Sequence, residues 1–155
     1  MLPNRYSFIR AGRLLPLLCA IVLTVAGCSA STLAPFTSDG CSAFPDGTLQ
    51  NSRLWLQCCE AHDLAYWKGG TYQQRREADL ELRQCVAQVG QKEIAQLMLA
   101  GVRVGGTPFL PTTFRWGYGW PYPRGYRPPT AEEQQQIDQR LLDRDSAPDS
   151  TPETK

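Results

Sequence analysis

The sequence has little net charge, and it contains a single histidine. Its 16 lysine and arginine residues are nearly balanced by 15 aspartate and glutamate residues, which leaves a formal net charge of +1. A surface balanced in this way offers no positive field to the phosphates of a nucleic acid. We therefore expect no nucleic-acid partner.

No apolar run in the chain approaches the length of about 20 residues that a bilayer-spanning helix needs. The longest run, Leu14–Ala26, follows three arginines, and this order is typical of an export signal. It ends in Val25-Ala26-Gly27-Cys28, which resembles the lipobox of bacterial lipoproteins. The resemblance implies a signal peptide at 1–27, a lipid on Cys28 and anchoring to the bacterial cell envelope, on the periplasmic side of the outer membrane in a host that has one. Ordinary cleavage at small residues is the alternative.

A chain of 155 residues has room for one domain, and its two terminal segments shorten the packed part further. We place the folded unit at 39–106, after an anchor and spacer at 28–38. Such a short unit cannot bury a large apolar core, so covalent or ionic reinforcement is expected. An even number of cysteines in a short exported domain indicates two disulfide bonds. The cysteines left after removal of the signal and acylation are Cys41, Cys58, Cys59 and Cys85.

Turn-forming residues mark the start of the predicted helices. The segment 39–47 carries two Asp-Gly pairs and a proline, and it predicts a loop of tight turns. A first helix is expected from a cap at Asn51 or Ser52 to about Lys68, where Gly69-Gly70 ends it.

The second helix is expected to begin with a capping box formed by Thr71 and Gln74, and to run to about Val89. A third, shorter helix is expected from Lys92 to about Val102. The predicted fold class is therefore all-α.

The C-terminal third is rich in proline and aromatic residues before it becomes polar. Residues 107–130 predict an irregular wrap whose rings cover the helices and complete the core, although some rings could instead lie at a lipid interface. Within 131–155 we expect a solvated polar helix, beginning near Thr130 and ending near Asp143. A disordered tail is expected after it.

The only histidine, His62, lies in the predicted first helix within the segment Cys58–Tyr66 (CCEAHDLAY). A lone histidine is often only a packed or solvated residue. If the first two helices fold back on each other at Gly69-Gly70-Thr71, however, His62 and Asp79 lie at equal distances along the chain from that turn. The sequence therefore predicts a contact between the two side chains.

The same reflection predicts the disulfide pairing. Cys58 and Cys85 lie at nearly equal distances from the turn, so a bond between them would join the two helices near the histidine. Cys59 is then left for Cys41, and this second bond would tether the loop 39–47 to the first helix. Adjacent cysteines on a helix point about 100 degrees apart, so they can serve different partners.

This pattern of residues favours general-base chemistry. Asp79 would accept the proton of one imidazole nitrogen of His62 and leave the other as a free base. Tyr66, one turn after the histidine, can reach Asp79 with its hydroxyl. Asp63 points toward the loop tethered by Cys41, and a carboxylate beside free backbone carbonyls suits calcium.

These residues resemble a known family. The segment Cys58–Tyr66 is similar to the CCxxHDxxY active-site helix of secreted phospholipase A2, and the spacing of Asp79 and Cys85 is similar to that of the family's second helix. The similarity covers about Asp39 to Val86 and is greater to the short microbial and fungal branch. It implies a small, disulfide-stapled antiparallel helix hairpin preceded by a calcium-loop-like segment.

The resemblance also implies residue roles. His62 is the expected base, Asp79 orients it, Tyr66 supports Asp79, and Asp63 binds calcium. The implied reaction is the calcium-dependent hydrolysis of the sn-2 ester of membrane glycerophospholipids, giving lysophospholipid and free fatty acid. The candidate further calcium ligands, by their position in the loop, are the carbonyls of Gly40, Ser42 and Phe44.

Two other interpretations remain open. The chain departs from the family at Ala65, where a cysteine is common, and in a loop with fewer glycines, so it could be a non-catalytic envelope lipoprotein with a binding or structural role. Alternatively, a zinc ion could be held by three thiolates and one imidazole. The ligands in that case would be Cys58, Cys59, His62 and Cys85.

Overall fold

The computed structural model describes residues 32–146. The predicted signal peptide at 1–27, the predicted lipidation site Cys28 and the tail from 147 lie outside the described residues. Within 32–146 there are four helices and no strand, so the predicted all-α class is confirmed. None of these described helices is long and apolar enough to cross a membrane. The helices are α1 (Leu56–Lys68), α2 (Tyr72–Gln88), α3 (Lys92–Gly105) and α4 (Ala131–Ser146).

Helix α1 begins later than the sequence predicted. Trp55 occupies the N-cap position without a side-chain cap, and Asn51 and Ser52 lie in turns before it. Asn51 fails to cap the helix because it closes a turn with Thr48, whose backbone N–H donates to the Asn51 carbonyl at 2.8 Å. The buried Trp55 ring instead fixes the entry, since its indole N–H donates to the Pro45 carbonyl at 2.6 Å.

Helices α1 and α2 run in opposite directions and are joined by a short turn. Gly69 and Gly70 both have positive φ, at 68° and 142°, a region that L side chains rarely adopt. The predicted capping box is present: Thr71 Oγ1 accepts from the Gln74 N–H, and the Gln74 side chain accepts from the Thr71 N–H. These features fix the register of the two helices at the turn.

Two disulfide bonds join the parts of the chain that the sequence paired. Cys58–Cys85 links α1 to α2, and Cys41–Cys59 links the preceding loop to α1. Both bonds border an apolar cluster formed between α1, α2 and α3. Its buried members are Trp55, Cys58, Cys59, Leu82, Val86, Ala95 and Met98.

Helix α3 runs to Gly105, three residues beyond the predicted end at Val102. It ends where the Gly106 N–H donates to the Val102 carbonyl at 2.9 Å. The last turn carries Arg103, which the sequence placed just after the helix.

The segments on either side of 39–106 also pack into the core. Leu33, predicted to lie in a spacer, is only 1% exposed and packs with Trp67, Trp120 and Ile137. Since Ile137 belongs to α4, one face of that helix is buried, although most of the helix is exposed as the sequence predicted. Because most of α4 is polar, its sequence shows little sign of this buried face. The folded unit is therefore larger than 39–106.

The predicted wrap at 107–130 is irregular and covers the helices. The buried indoles of Trp116 and Trp120 donate to the carbonyls of Gly70 and Lys68, at 2.9 and 2.8 Å. These carbonyls lie at the end of α1 and in the following turn, where helical partners are missing. The wrap therefore supplies hydrogen-bond donors to free carbonyls at the end of the helix that carries the histidine.

Candidate active site

His62 and Asp79 meet between α1 and α2. Nε2 of His62 lies 3.1 Å from Oδ1 of Asp79, and the aspartate is completely buried, while His62 is 8% exposed. A carboxylate only accepts hydrogen bonds, so Nε2 carries the proton. The other nitrogen, Nδ1, makes no hydrogen bond within the described part of the chain and keeps its lone pair when the ring is neutral.

Tyr66 supports the same carboxylate. Its hydroxyl donates to Oδ1 of Asp79 at 2.6 Å, and its ring lies against the His62 ring with centroids 4.1 Å apart. Burial, followed by the negative charge of Asp79, raises the pKa of Tyr66 well above its usual range. The phenol therefore stays protonated and keeps donating.

Two arginines face the other oxygen of Asp79. Arg103 Nε lies 2.7 Å from Oδ2 in an ion pair whose angle is outside the range of a hydrogen bond, and Arg75 Nε lies 4.0 Å away. Arg75 also donates to the Tyr66 hydroxyl at 3.1 Å and to the Tyr126 hydroxyl at 2.6 Å. The contact network of His62 thus extends through Asp79, Tyr66 and Arg75 to Tyr126 in the wrap.

The sequence did not predict these three additional residues. Arg75 precedes Asp79 by one helical turn, so the helical spacing could have indicated it. Arg103 lies on α3 and Tyr126 in the irregular wrap, and no local pattern places either of them beside Asp79.

A cavity of about 420 Å³ opens beside His62. Most of its wall is apolar, and α3 supplies much of that wall. The cavity could therefore hold a hydrocarbon chain whose polar end lies at the histidine. The apolar side chains that line it include Phe44, Leu82, Leu97, Met98, Val102 and Phe114.

Asp63 borders the same cavity from the next position on α1. It is 9% exposed, and its Oδ2 accepts a hydrogen bond from the Ser38 hydroxyl at 2.6 Å. Burial raises the pKa of Asp63 to about 6, although the Ser38 hydrogen bond and His62 both oppose the rise. A buried carboxylate without a cationic partner is a group whose ionised form a bound cation would stabilise.

The loop residues predicted as calcium ligands face the same cavity as Asp63. Gly40, Ser42 and Phe44 all line the cavity that Asp63 borders. The Cys41–Cys59 bond and a 2.8 Å hydrogen bond from the Cys41 N–H to Asp46 hold the loop in place. Within 32–146, no three His, Cys, Asp or Glu side chains come together as a metal site, so a cation here would depend on backbone carbonyls.

The zinc interpretation is wrong. All three of its cysteines, Cys58, Cys59 and Cys85, are in disulfide bonds. A disulfide sulfur has no thiolate charge to offer a zinc ion, so only His62 of the expected ligand set remains.

Comparison of the chain with protein-family profiles, with curated proteins and with solved structures finds no match.

Proposed function

We propose that the protein is a phospholipase A2-like enzyme that hydrolyses the sn-2 ester of glycerophospholipids in a calcium-dependent reaction. The observation that carries this proposal is the His62–Asp79 pair at the edge of a largely apolar cavity. A base held in one tautomer beside a cavity suited to an acyl chain is an arrangement that can hydrolyse a lipid ester.

In the proposed reaction, Nδ1 of His62 removes a proton from a water molecule as its oxygen attacks the ester carbonyl carbon. Asp79 stabilises the imidazolium that forms, and Tyr66 and Arg103 keep the carboxylate in place. The imidazolium then gives its proton to the departing glycerol oxygen as the ester bond breaks. The products are a lysophospholipid and a free fatty acid, and His62 returns to its neutral form.

The residues around Asp63 fit calcium by their chemistry. The donors are all oxygens, and the buried Asp63 carboxylate has no cation beside it in the described part of the chain. We propose that Asp63 and the carbonyls of Gly40, Ser42 and Phe44 hold the ion. When bound, it would supply positive charge to the substrate phosphate and to the oxyanion.

We further propose that a lipid on Cys28 anchors the protein to the bacterial envelope beside its substrate. A diacylated cysteine supplies two chains, which is enough for stable anchoring where one chain is not. The Leu97 side chain lines the cavity and is also 57% exposed, so apolar surface is present at the cavity's edge. Catalysis would then take place at the membrane surface.

The test is fatty-acid release from mixed micelles by the full-length chain, with calcium and with a chelator. We expect activity only with calcium, and a loss of at least about a hundredfold in His62→Gln, since a general base contributes that much or more. Glu60→Gln is the matched control because Glu60 is exposed on the same helix. Equal fatty-acid release by wild type and His62→Gln would reject His62 as the general base. No fatty-acid release by wild type would favour a non-catalytic envelope protein.

A further inference from the structure

A second cavity of about 180 Å³ is also lined by Asp63. It shares two lining residues, Asp63 and Phe114, with the cavity beside His62. The two cavities are therefore neighbours at Asp63 and Phe114. The remaining lining residues are Thr37, Ser38, Asp39, Thr113 and Tyr118.

The charged side chains that line this second cavity are both acidic, and with Asp63 assigned to calcium it is Asp39 that remains for a head-group cation. Asp63 and Asp39 both line it, and neither forms an ion pair within the described residues. Asp63 is nine-tenths buried and uses Oδ2 for the Ser38 hydroxyl, while Oδ1 makes no hydrogen bond to the described chain. Asp39 uses Oδ1 for the Ser42 hydroxyl, at 2.9 Å, and is otherwise exposed.

Two aromatic rings complete the wall. Tyr118 and Phe114 line the cavity beside the carboxylates. The Tyr118 hydroxyl donates to the Thr37 carbonyl at 2.5 Å, which fixes the ring at its polar end. Aromatic rings combined with carboxylates, in a space without lysine or arginine, are suited to an organic cation that is too weakly hydrated to need a full shell of oxygens.

We propose that this cavity binds the ammonium group of a zwitterionic phospholipid, a choline or ethanolamine head group. The inference rests on the proposed function, in which the phosphate lies near Asp63. The acyl chain would then occupy the larger cavity beside His62, and the head group would extend past Asp63 toward Asp39 and Tyr118. The enzyme would prefer zwitterionic lipids to anionic lipids of the same acyl composition.

Binding can be tested without catalysis. Tetramethylammonium chloride is titrated into the full-length protein in detergent micelles, and amide NMR shifts are followed, with sodium chloride as the ionic-strength control. We expect saturable shifts at residues 37–39 and 113–118, weakened in Asp39→Asn. Shifts that match those of sodium chloride would overturn the inference. If the protein binds tetramethylammonium saturably but hydrolyses no lipid, the cation-binding cavity is supported and the proposed phospholipase activity is rejected.

The second arm measures head-group preference. Rates on phosphatidylcholine and phosphatidylglycerol with identical acyl chains are compared for wild type, Asp39→Asn and Tyr118→Leu. Each variant should lower the choline-to-glycerol ratio of kcat/KM by about two- to fivefold, the range for a cation held at a partly exposed aromatic site.

The matched control is Asp138→Asn, which removes one negative charge from the exposed face of α4. Its ratio should equal that of wild type. Equal ratios in all four proteins would overturn the proposal. A lower calcium affinity in Asp39→Asn with no change in the ratio would assign the cavity to the metal ion and would likewise overturn it.

Discussion

Arg103 on α3 lies against Asp79 on α2, with Nε 2.7 Å from Oδ2 of a carboxylate that is completely buried. The other oxygen of Asp79 is the one that contacts His62 and Tyr66. The carboxylate therefore meets neutral donors on one side and a cation on the other. Because α3 also lines the cavity, this ion pair joins the wall of the cavity to the histidine.

Removing the charge at Arg103 should weaken both stability and the proposed activity. Arg103→Met would leave Asp79 buried without its nearest cation, and we expect the free energy of unfolding to fall by about 1 to 3 kcal/mol. In fatty-acid release, kcat should fall more than KM rises, because the contact acts on His62 through Asp79. Urea denaturation and steady-state kinetics measure the two effects.

Arg103→Lys is the conservative variant, since it restores a positive charge without the guanidinium geometry. We expect it to recover part of the kcat lost in Arg103→Met. The same kcat in both variants would contradict a role for the charge. Arg76→Met is a second control, because Arg76 is exposed on α2.

Tyr66→Phe should show how much the phenol contributes. The variant keeps the ring against His62 but removes the hydroxyl that links Asp79 to Arg75. Hydrogen bonds to charged groups contribute about 1.5 to 3 kcal/mol, so we expect a loss of that size in the free energy of unfolding. Tyr72→Phe, at an exposed position, is the control and should change stability little. Equal losses in the two variants would contradict the assignment.

The residues that the sequence paired around His62 lie on two helices joined by one short turn. His62 and Asp79 lie level with each other because Gly69 and Gly70 fix where α1 ends and α2 begins, and both side chains lie on the facing sides of the two helices. Tyr66 follows from the helical repeat. Local rules of turn position and helical repeat therefore determine this part of the site.

The parts that the sequence missed depend on the path of the whole chain. Arg103 reaches Asp79 only because α3 packs on α2, and Tyr126 reaches Arg75 only because the wrap returns across the helices. Leu33 is buried because Trp120 and Ile137 surround it, and both come from segments that carry no apolar period. The predicted cap at Asn51 was wrong for a local reason. Asn51 is a good capping residue, but it takes part in a competing turn with Thr48.

The titration of Asp63 should make the calcium-free protein less stable as the pH rises. Folding raises the pKa of this buried acid from 3.8 to about 6, so the folded state binds the proton more tightly than the unfolded state. Its contribution is fully present below about pH 4 and is lost by the time the pH exceeds about 6. The expected loss is about 2 to 3 kcal/mol in the free energy of unfolding, measured in a chelator.

Asp63→Asn isolates this contribution. The variant should match wild type near pH 4 and exceed it in stability at pH 7. Asp138→Asn, on the exposed face of α4, should not change the pH profile in this range. Parallel profiles of wild type and Asp63→Asn would exclude the buried carboxyl as the source. Calcium should raise the stability of wild type at pH 7 but leave Asp63→Asn unchanged.

Glu133 on α4 should be the residue that holds the wrap to the rest of the fold. Its carboxylate accepts hydrogen bonds from Arg124 and Arg127 and from the Thr130 N–H. Burial alone would raise the pKa of Glu133, but the hydrogen bonds of the two arginines hold that pKa well below its usual range. The stability that Glu133 contributes is therefore lost only as the solution becomes strongly acidic.

Glu133→Gln would leave the buried Arg124 without its anion, and we expect the free energy of unfolding to fall by about 3 kcal/mol. Tryptophan fluorescence during urea denaturation measures the loss, because Arg124 stacks on Trp120 at 4.2 Å. Glu132→Gln, one position earlier and exposed, should cost less than about 1 kcal/mol, since it has no arginine partner in the described chain. If the two variants lose equal stability, the arginine–glutamate cluster does not hold the wrap in place.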